Sequence, residues 1–207
     1  MENNKLYLYP GLIRIWHVIN AILIILLIVS GLSMQYSDPV NPFIRFDLAV
    51  SMHNIAGFVL IFDYLLFILA NTISKNGRHY RIQLKGLTDR LMVQFRYYTF
   101  GIFKGESAPF PVTKKLKFNP IQQVTYFMTM YIMMPLIFLT GLPMLFSGAF
   151  IQQLFGSKAF FVTDILHITV GFFLSVFLII HLYFCTFGAK VTSNFKSIIT
   201  GYHEGNH

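Results

Sequence analysis

Four histidines lie inside hydrophobic segments of the chain, namely His17, His53, His167 and His181. An ionisable side chain at membrane depth is costly in free energy, so by default it marks a functional site. Neutral imidazole is also a common metal ligand. Four such ligands pair naturally into two bis-histidine sites, and in an apolar helical bundle this pattern favours haem iron as the occupant.

The composition is typical of an integral membrane protein. The chain has 207 residues, of which 55% are hydrophobic and 12% are charged, and its mean hydropathy is +0.60. A soluble domain carries about twice that charged fraction. The single cysteine, Cys185, excludes an intrachain disulfide and a four-thiolate zinc or iron–sulfur site. We expect one membrane domain over residues 1–207, in contact with membrane lipid.

Four hydrophobic runs are each longer than the ~20 residues that are needed to cross a bilayer. In lipid such runs must be helices, because only a helix satisfies its own backbone hydrogen bonds. The predicted fold class is therefore all-α, an integral membrane four-helix bundle, and Pro135 and Pro143 are expected to kink its third helix. The predicted helices cover about residues 11–36, 47–73, 120–146 and 160–187, with a long loop over residues 74–119.

The basic residues are distributed very unevenly between the connecting segments. Of the 16 Lys and Arg residues, only Arg45 and Lys158 lie in the two shorter loops. The positive-inside rule therefore predicts that both termini and the long loop are cytoplasmic, in a multi-pass protein of the cell inner membrane. The net charge of +8 is thus an orientation signal, and we do not expect nucleic acid as a partner.

The depth of each histidine follows from this topology. His17 lies near the cytoplasmic start of the first helix, and His53 lies near the outer start of the second. The fourth helix runs inward, so His167 is outer and His181 is inner. Depth therefore pairs His17 with His181 and His53 with His167. The 14 residues from His167 to His181 span about 21 Å of helix, so two haems are expected to stack across the membrane.

The residue four positions after each histidine is small, which clears a patch on the same helix face. Such a patch suits a flat porphyrin, although small residues also mark plain helix packing, and a lone intramembrane histidine can simply bond to a neighbouring helix. Zinc fits less well, because it needs three or four ligands at one point. The four small residues are Ala21, Gly57, Gly171 and Cys185.

A weak internal repeat relates two segments at the outer ends of the odd-numbered helices. Residues 29–34 read Val-Ser-Gly-Leu-Ser-Met, and residues 139–144 read Leu-Thr-Gly-Leu-Pro-Met.

Over nearly its whole length the chain resembles the two-haem cytochrome b subunits of membrane-bound formate dehydrogenases, nickel–iron hydrogenases and thiosulfate reductases. The loop is similar to the thiosulfate-reductase-like branch through Tyr-Tyr-x-x-Gly-x-Phe-Lys-Gly-Glu at residues 97–106 and Lys-Phe-Asn-Pro-Ile-Gln at residues 117–122. The wider resemblance is carried by residues 14–17 (Arg-Ile-Trp-His), 52–57 (Met-His-Asn-Ile-Ala-Gly), 166–171 (Leu-His-Ile-Thr-Val-Gly) and 181–183 (His-Leu-Tyr).

This resemblance implies haem b at both sites and a quinone pocket on the cytoplasmic side, beside the inner haem. The family's asparagine just before the third helix matches Asn119. In the formate dehydrogenase branch a glycine stands two positions after that asparagine, and here this position is Ile121. Lys117, Gln122 and Arg14 are further quinone candidates, and for each of them contact with a lipid headgroup or a haem propionate is an open alternative. The quinone is expected to be menaquinone or ubiquinone.

The expected function is that of a membrane-anchoring cytochrome b that transfers electrons between the quinone pool and an extracytoplasmic iron–sulfur, molybdenum or multihaem subunit. Two axial histidines saturate a haem iron, which indicates electron transfer rather than catalysis by this chain alone. One alternative is a stand-alone, quinone-linked cytochrome that oxidises a small oxidant such as superoxide. A small transporter is a further alternative. It would need a polar midplane cavity or paired inverted repeats with broken helices, and Pro135 is the one residue that points in this direction.

Asp63 is a second type of intramembrane charge, ten residues after His53 and so on a different helix face. It is expected to be a protonated, hydrogen-bonding aspartate, with a proton-relay carboxylate as the alternative.

Overall fold

The structure is a computed structural model that describes residues 5–113, 116–145, 156–188 and 190–204. The chain forms two compact units. The first, called the histidine unit, comprises Ile15–Leu69 and Met133–His181. The second, called the loop unit, comprises Met1–Arg14, Ala70–Ile132 and Leu182–His207. A single domain over residues 1–207 stays a prediction.

Within the described ranges, four helices are long and apolar enough to cross a membrane. In chain order these first to fourth spans are Gly11–Tyr36, Phe46–Ile73, Pro120–Leu145 and Lys158–Cys185. The predicted class, an all-α membrane helical bundle, is thereby confirmed. The first two spans lie within one residue of the ranges 11–36 and 47–73, and the third begins at Pro120. Residue 146, the predicted end of the third span, lies outside the described residues.

The fourth helix, Ser157–Cys185, starts earlier and ends earlier than the predicted range of 160–187. Its end is visible in the backbone bonding, because the N–H groups of Thr186 and Phe187 donate to carbonyls only three residues back. Such tight bonds commonly close the last turn of a helix.

The third span is interrupted near its middle. It consists of an α-helix Pro120–Met128, a π-helical turn Thr129–Met133 and a second α-helix Met134–Leu145. Pro135 lacks a backbone N–H and cannot donate to the carbonyl four residues earlier, so the regular α pattern fails at this point. A single π turn is a common way to absorb such a fault. The α-helix Met134–Leu145 continues through Pro143 without a comparable break.

The histidine unit has a narrow buried core. Leu60, Phe67, Met134 and Ser30 are its most completely buried side chains. Many large apolar side chains of the same helices face outward instead, and Phe172 is 61% exposed. Apolar residues on all sides are what a helix bundle in lipid requires, since both its core and its surface contact hydrocarbon.

The loop unit joins the ends of the chain. Strands β1 (Lys5–Tyr7) and β2 (Tyr202–Glu204) pair antiparallel, with Leu6 opposite His203. A short helix, Ser193–Thr200, precedes β2 and ends at Gly201, whose φ of 87° lies in the left-handed region. A side chain there would be strained and would also meet the ring of Tyr7 at 2.8 Å.

The remainder of the loop unit is built from short turns of helix. They are the 3-10 helix Lys75–Tyr80, the α-helix Leu87–Arg96, the π turn Tyr97–Gly101 and the 3-10 turn Ile102–Lys104. Arg96 forms a two-pronged ion pair with Glu106, at 3.0 and 3.2 Å, which closes the loop after the last turn.

Candidate functional site

His53 of the second span and His167 of the fourth span face each other in the histidine unit. Their ring centroids lie 6.2 Å apart, and the ring planes cross at 67°. Two imidazoles that bind one metal from opposite sides need a metal–nitrogen bond of about 2 Å each, so with the extent of the rings their centroids lie about 6 Å apart. This pair, called the outer pair after its predicted depth, therefore has the separation of a bis-histidine site.

His17 and His181 form a second pair with nearly the same dimensions. Their ring centroids are 6.3 Å apart, with an interplanar angle of 46°. The ring of Phe177 stacks on His181 at 5.7 Å, and the indole of Trp16 stands edge-on to His17 at 6.5 Å. The structure thus brings together the residues that depth had paired, while their role as ligands stays a prediction.

The Nδ1 atoms of the outer pair are hydrogen-bonded to hydroxyl groups of the neighbouring spans. Ser30 Oγ lies 3.0 Å from His53 Nδ1, and Thr140 Oγ1 lies 3.1 Å from His167 Nδ1. Both hydroxyls are buried. The sequence analysis did not single out either residue, although both stand at the same position of the internal repeat.

A glycine follows each of these hydroxyl residues and allows the histidine ring to approach the helix backbone. A Cβ atom on Gly31 would lie 3.4 Å from His53 Cε1, and one on Gly141 would lie only 2.9 Å from His167 Cε1. Real Cβ atoms essentially never approach another atom as closely as the second distance. The repeated dipeptides Ser30-Gly31 and Thr140-Gly141 were therefore the sequence signal that could have predicted the two hydroxyl–histidine contacts.

The small residues four positions after each histidine include two glycines that, unlike Gly31 and Gly141, are not in close contact with a histidine ring in the described part of the chain. Among the residues that the structure describes, a Cβ on Gly57 would meet only Leu27, at 3.9 Å, and one on Gly171 would meet only Ile137, at 4.0 Å. These are ordinary van der Waals distances, so close helix packing does not require either glycine. Ala21 is half-buried in the histidine unit, and the side chain of Cys185 is half-buried in the loop unit.

The donor set fits haem iron better than a metal held by protein alone. Among the residues that the structure describes, no group of three or more His, Cys, Asp or Glu side chains is placed to hold a metal ion. The ligands come in pairs, which is the number that the two axial positions of a haem need. Beside the inner pair, the buried Nε1 of Trp16 has no hydrogen-bond partner among the described residues. A buried N–H of this kind calls for an acceptor, and a haem carboxylate is one.

Comparison with known proteins identifies the family. Residues 8–201 match the family model described as prokaryotic cytochrome b561. The chain belongs to this family. It is 40% identical over 203 residues to the protein named "Putative cytochrome YdhU" of Escherichia coli (strain K12), a match that covers 98% of this chain and 76% of that protein. No solved structure matches the chain.

The chain is accordingly a membrane b-type cytochrome that acts in electron transfer, and its family binds haem b. In the loop unit of this cytochrome, the predicted quinone residues Asn119 and Gln122 lie together. They form a reciprocal helix cap, in which Asn119 Oδ1 accepts from the Gln122 N–H at 3.0 Å and Gln122 Oε1 accepts from the Asn119 N–H at 3.1 Å. Pro120 follows at the first helical position, where its missing N–H costs nothing.

Asn119 also makes a contact that the sequence analysis missed. Its Nδ2 donates to the hydroxyl of Tyr98 at 2.7 Å, and the Tyr98 ring packs on Phe184 with centroids 4.5 Å apart. Burial raises the pKa of Tyr98, and the Asn119 hydrogen bond partly opposes that rise. Gln94, four residues before Tyr98 in the sequence, is also buried. Its Oε1 has no hydrogen-bond partner among the described residues. The amides of Asn119 and Gln94 and the Tyr98 phenol thus form a polar group in an apolar setting.

Lys117 contacts a different set of residues. Its amine donates to Asn76 Oδ1 at 3.4 Å and lies 4.5 Å above the ring of Tyr9. The side chain is 6% exposed, and burial lowers its pKa from the ordinary value of 10.5 to about 8. Burial also raises the pKa of Tyr9 to about 12 and lowers the pKa of His79, on which Lys117 acts as a nearby cation.

Two further charged residues have partners of their own. The guanidinium of Arg14 donates to the backbone carbonyl of Ile199, so this predicted quinone or propionate candidate is engaged at the end of a helix. A cation at that end is favourable for the helix dipole. Asp63 is buried in the histidine unit and accepts from Asn20 Nδ2 at 3.4 Å, as expected of a hydrogen-bonding aspartate.

Proposed function

We propose that this cytochrome binds two haems b and transfers electrons between the quinone pool and an extracytoplasmic redox subunit. The observation that carries the proposal is the presence of two histidine pairs with ring separations of 6.2 and 6.3 Å, located towards opposite ends of the same fourth span. A single site would need only one such pair.

Each pair has a defined task in the proposal. His53 and His167 hold the outer haem, and His17 and His181 hold the inner haem. A haem whose two axial positions are filled by histidine supplies one-electron transfer and leaves no open position for oxygen chemistry. Gly57 and Gly171 are proposed to flank the outer haem, and Ala21 is proposed to flank the inner one.

The proposed arrangement moves charge across the membrane. His167 and His181 are 14 residues apart on one continuous helix, which corresponds to about 21 Å of depth. An electron that crosses this depth works with or against a membrane potential worth about 2.3 kcal/mol per elementary charge per 100 mV. The direction of flow depends on whether quinone is reduced or quinol is oxidised.

Quinone binding is proposed for the cytoplasmic side, in the region of Asn119. A quinone carbonyl needs hydrogen-bond donors in an apolar pocket. Asn119, Gln122 and Tyr98 offer amide and hydroxyl groups beside aromatic rings. Lys117 adds an amine of lowered pKa, which can exchange a proton near neutral pH. Menaquinone and ubiquinone both satisfy this chemistry.

The extracytoplasmic partner is proposed to be an iron–sulfur, molybdenum or multihaem subunit. Support comes from the likeness of residues 97–106 and 117–122 to the thiosulfate-reductase-like branch. The positive-inside rule places both termini in the cytoplasm, so the partner meets the two shorter loops. The cytochrome itself performs no substrate chemistry in this proposal.

The test is purification of the tagged chain from its native membranes, followed by identification of bound subunits and by quinol reduction of the haems. We expect a redox subunit to co-purify and a short-chain quinol to reduce haem in the complex. A chain that purifies alone, and whose oxidised haem is reduced by superoxide, would instead support the stand-alone alternative.

A further inference from the structure

The outer histidines share one supporting arrangement, which is built twice. On the first span, Ser30 bonds to His53 Nδ1 and Gly31 faces the same ring. On the third span, Thr140 bonds to His167 Nδ1 and Gly141 faces that ring. The two supporting residues stand at the same position of the repeat in residues 29–34 and 139–144.

The direction of the Ser30 hydrogen bond follows from the hydroxyl's other contacts. Ser30 Oγ lies 2.6 Å from the carbonyl of Leu26, and because a carbonyl only accepts, the single hydroxyl proton must point there. The oxygen then has only lone pairs to offer His53 Nδ1. The proton is therefore on His53 Nδ1.

The same argument holds for Thr140. Its hydroxyl donates to the carbonyls of Leu136, at 2.8 Å, and Ile137, at 3.1 Å. It can therefore only accept from His167 Nδ1. In a neutral imidazole with Nδ1 protonated, Nε2 carries the free lone pair and is the nitrogen that can bind a metal.

We infer that Ser30 and Thr140 are positioning residues for the outer haem: each fixes the tautomer and orientation of one axial histidine and lowers the haem's reduction potential. An Nδ1–H that donates to an oxygen gives the ring more electron density, which makes Nε2 the stronger ligand and favours the ferric state. Gly31 and Gly141 make the arrangement possible, because a side chain there would crowd the ring away from the hydroxyl.

This inference rests on the proposed binding of one haem by His53 and His167. The experiment separates failure of that binding from failure of the hydroxyl role. A chain without an outer haem would refute the binding itself, whereas an outer haem that does not respond to the hydroxyls would refute only the inference.

The experiment is an optical redox titration of the purified haem-loaded chain and its variants. Ser30→Ala and Thr140→Val remove one hydroxyl each, while Thr140→Ser keeps it. Thr125→Val is the matched control, because the Thr125 hydroxyl donates to the carbonyls of Ile121 and Gln122 in the same geometry, on the same span. Ser51→Ala is the serine control, since Ser51 is exposed and bonds to the Asp47 carbonyl.

Loss of either hydroxyl should favour the ferrous outer haem about tenfold at a fixed potential, an upward shift of about 59 mV for a one-electron couple. The inner haem should not shift, and Thr140→Ser and both controls should keep the parent potentials. Outer-haem shifts no larger than those of the controls would overturn the inference, as would a Thr140→Ser shift equal to that of Thr140→Val. Loss of both haems from Ser30→Ala and Thr140→Val would also overturn it, because the hydroxyls would then stabilise the packing of the helices rather than orient the histidine rings.

Discussion

A methyl group on Gly141 would lie 2.9 Å from Cε1 of His167, closer than a carbon atom can approach an imidazole ring without displacement. Gly141 is inside the helix Met134–Leu145, so its backbone cannot move away easily. The position of one outer histidine therefore depends on the absence of a side chain on the neighbouring span.

Gly141→Ala is expected to lower the occupancy of the outer haem while the inner haem remains. Overpacking of a well-packed site costs about 1–3 kcal/mol, and here the cost falls on the ring of His167. Gly31→Ala should have a smaller effect, since its Cβ would lie at 3.4 Å from His53. Gly11→Ala is the control, because a Cβ there would meet no atom of the described residues within 4 Å. Haem content per chain measures the effect, and full outer occupancy in Gly141→Ala would contradict the prediction.

The two haem sites should be separable by single histidine substitutions. His53→Ala or His167→Ala should lose the outer haem, and His17→Ala or His181→Ala should lose the inner one, because each pair shares one iron in the proposal. Optical spectra and haem content of the four variants check this. A variant that keeps both haems would show that its histidine is not a ligand.

The Asn119–Tyr98 hydrogen bond gives a test of the quinone site. Asn119→Ala should slow electron exchange between haem and quinone while both haem spectra stay intact, but it also removes a helix cap worth about 1 kcal/mol. Asn119→Ser keeps a capping hydroxyl and removes the amide, and Tyr98→Phe removes the other partner. Loss of a hydrogen bond of about 1 kcal/mol corresponds to a rate about fivefold lower.

The measurement for this prediction is stopped-flow reduction of haem by a short-chain quinol. Tyr202→Phe serves as the control, since Tyr202 is a half-exposed tyrosine in β2 of the same unit. Unchanged quinone kinetics in both Asn119→Ser and Tyr98→Phe would place the quinone site elsewhere.

Lys117 should make stability depend on pH. Its pKa in the folded chain, about 8, is below its ordinary value of 10.5, so the folded state holds this proton less tightly than the unfolded state. Between these two values the unfolded chain binds more protons, and the free energy of unfolding therefore rises with pH. Below pH 8 the cost of burying the charged amine is fully present.

Lys117→Met should remove this rise and leave a flatter profile. Thermal unfolding of the detergent-solubilised chain, followed across the window from about pH 8 to 10.5, measures the slope. Lys196→Met, which changes an exposed lysine of the same unit, is the control. A slope that is the same in the parent and in Lys117→Met would show that the amine is not buried as described.

The spans and the histidine pairs could be predicted because both follow from the order of apolar segments along the chain. Membrane thickness limits the length of each span, and topology then sets the depth of every residue on it. His17 and His181 must share a depth whatever the details of packing. Depth alone was enough to pair the histidines whose rings lie near each other in the structure.

The hydroxyl contacts could not be predicted in the same way. Whether Ser30 faces a histidine depends on how the first span is rotated about its axis, and a helix that is apolar on all sides gives no periodic signal for that rotation. The Tyr98–Asn119 contact was hidden for another reason, because the chain between them is an irregular loop. Lys117 and Asn119 are close in sequence, but Asn119 caps the helix Pro120–Met128, whereas Lys117 contacts Asn76 and Tyr9.

The number of haems per chain tests the central claim most directly. The pyridine haemochrome assay gives haem b per purified chain when it is referred to protein mass. Two histidine pairs with ring separations near 6 Å predict a ratio of two. A ratio of one in a fully loaded, folded preparation would show that one pair is structural, and a ratio near zero would contradict haem binding at both sites.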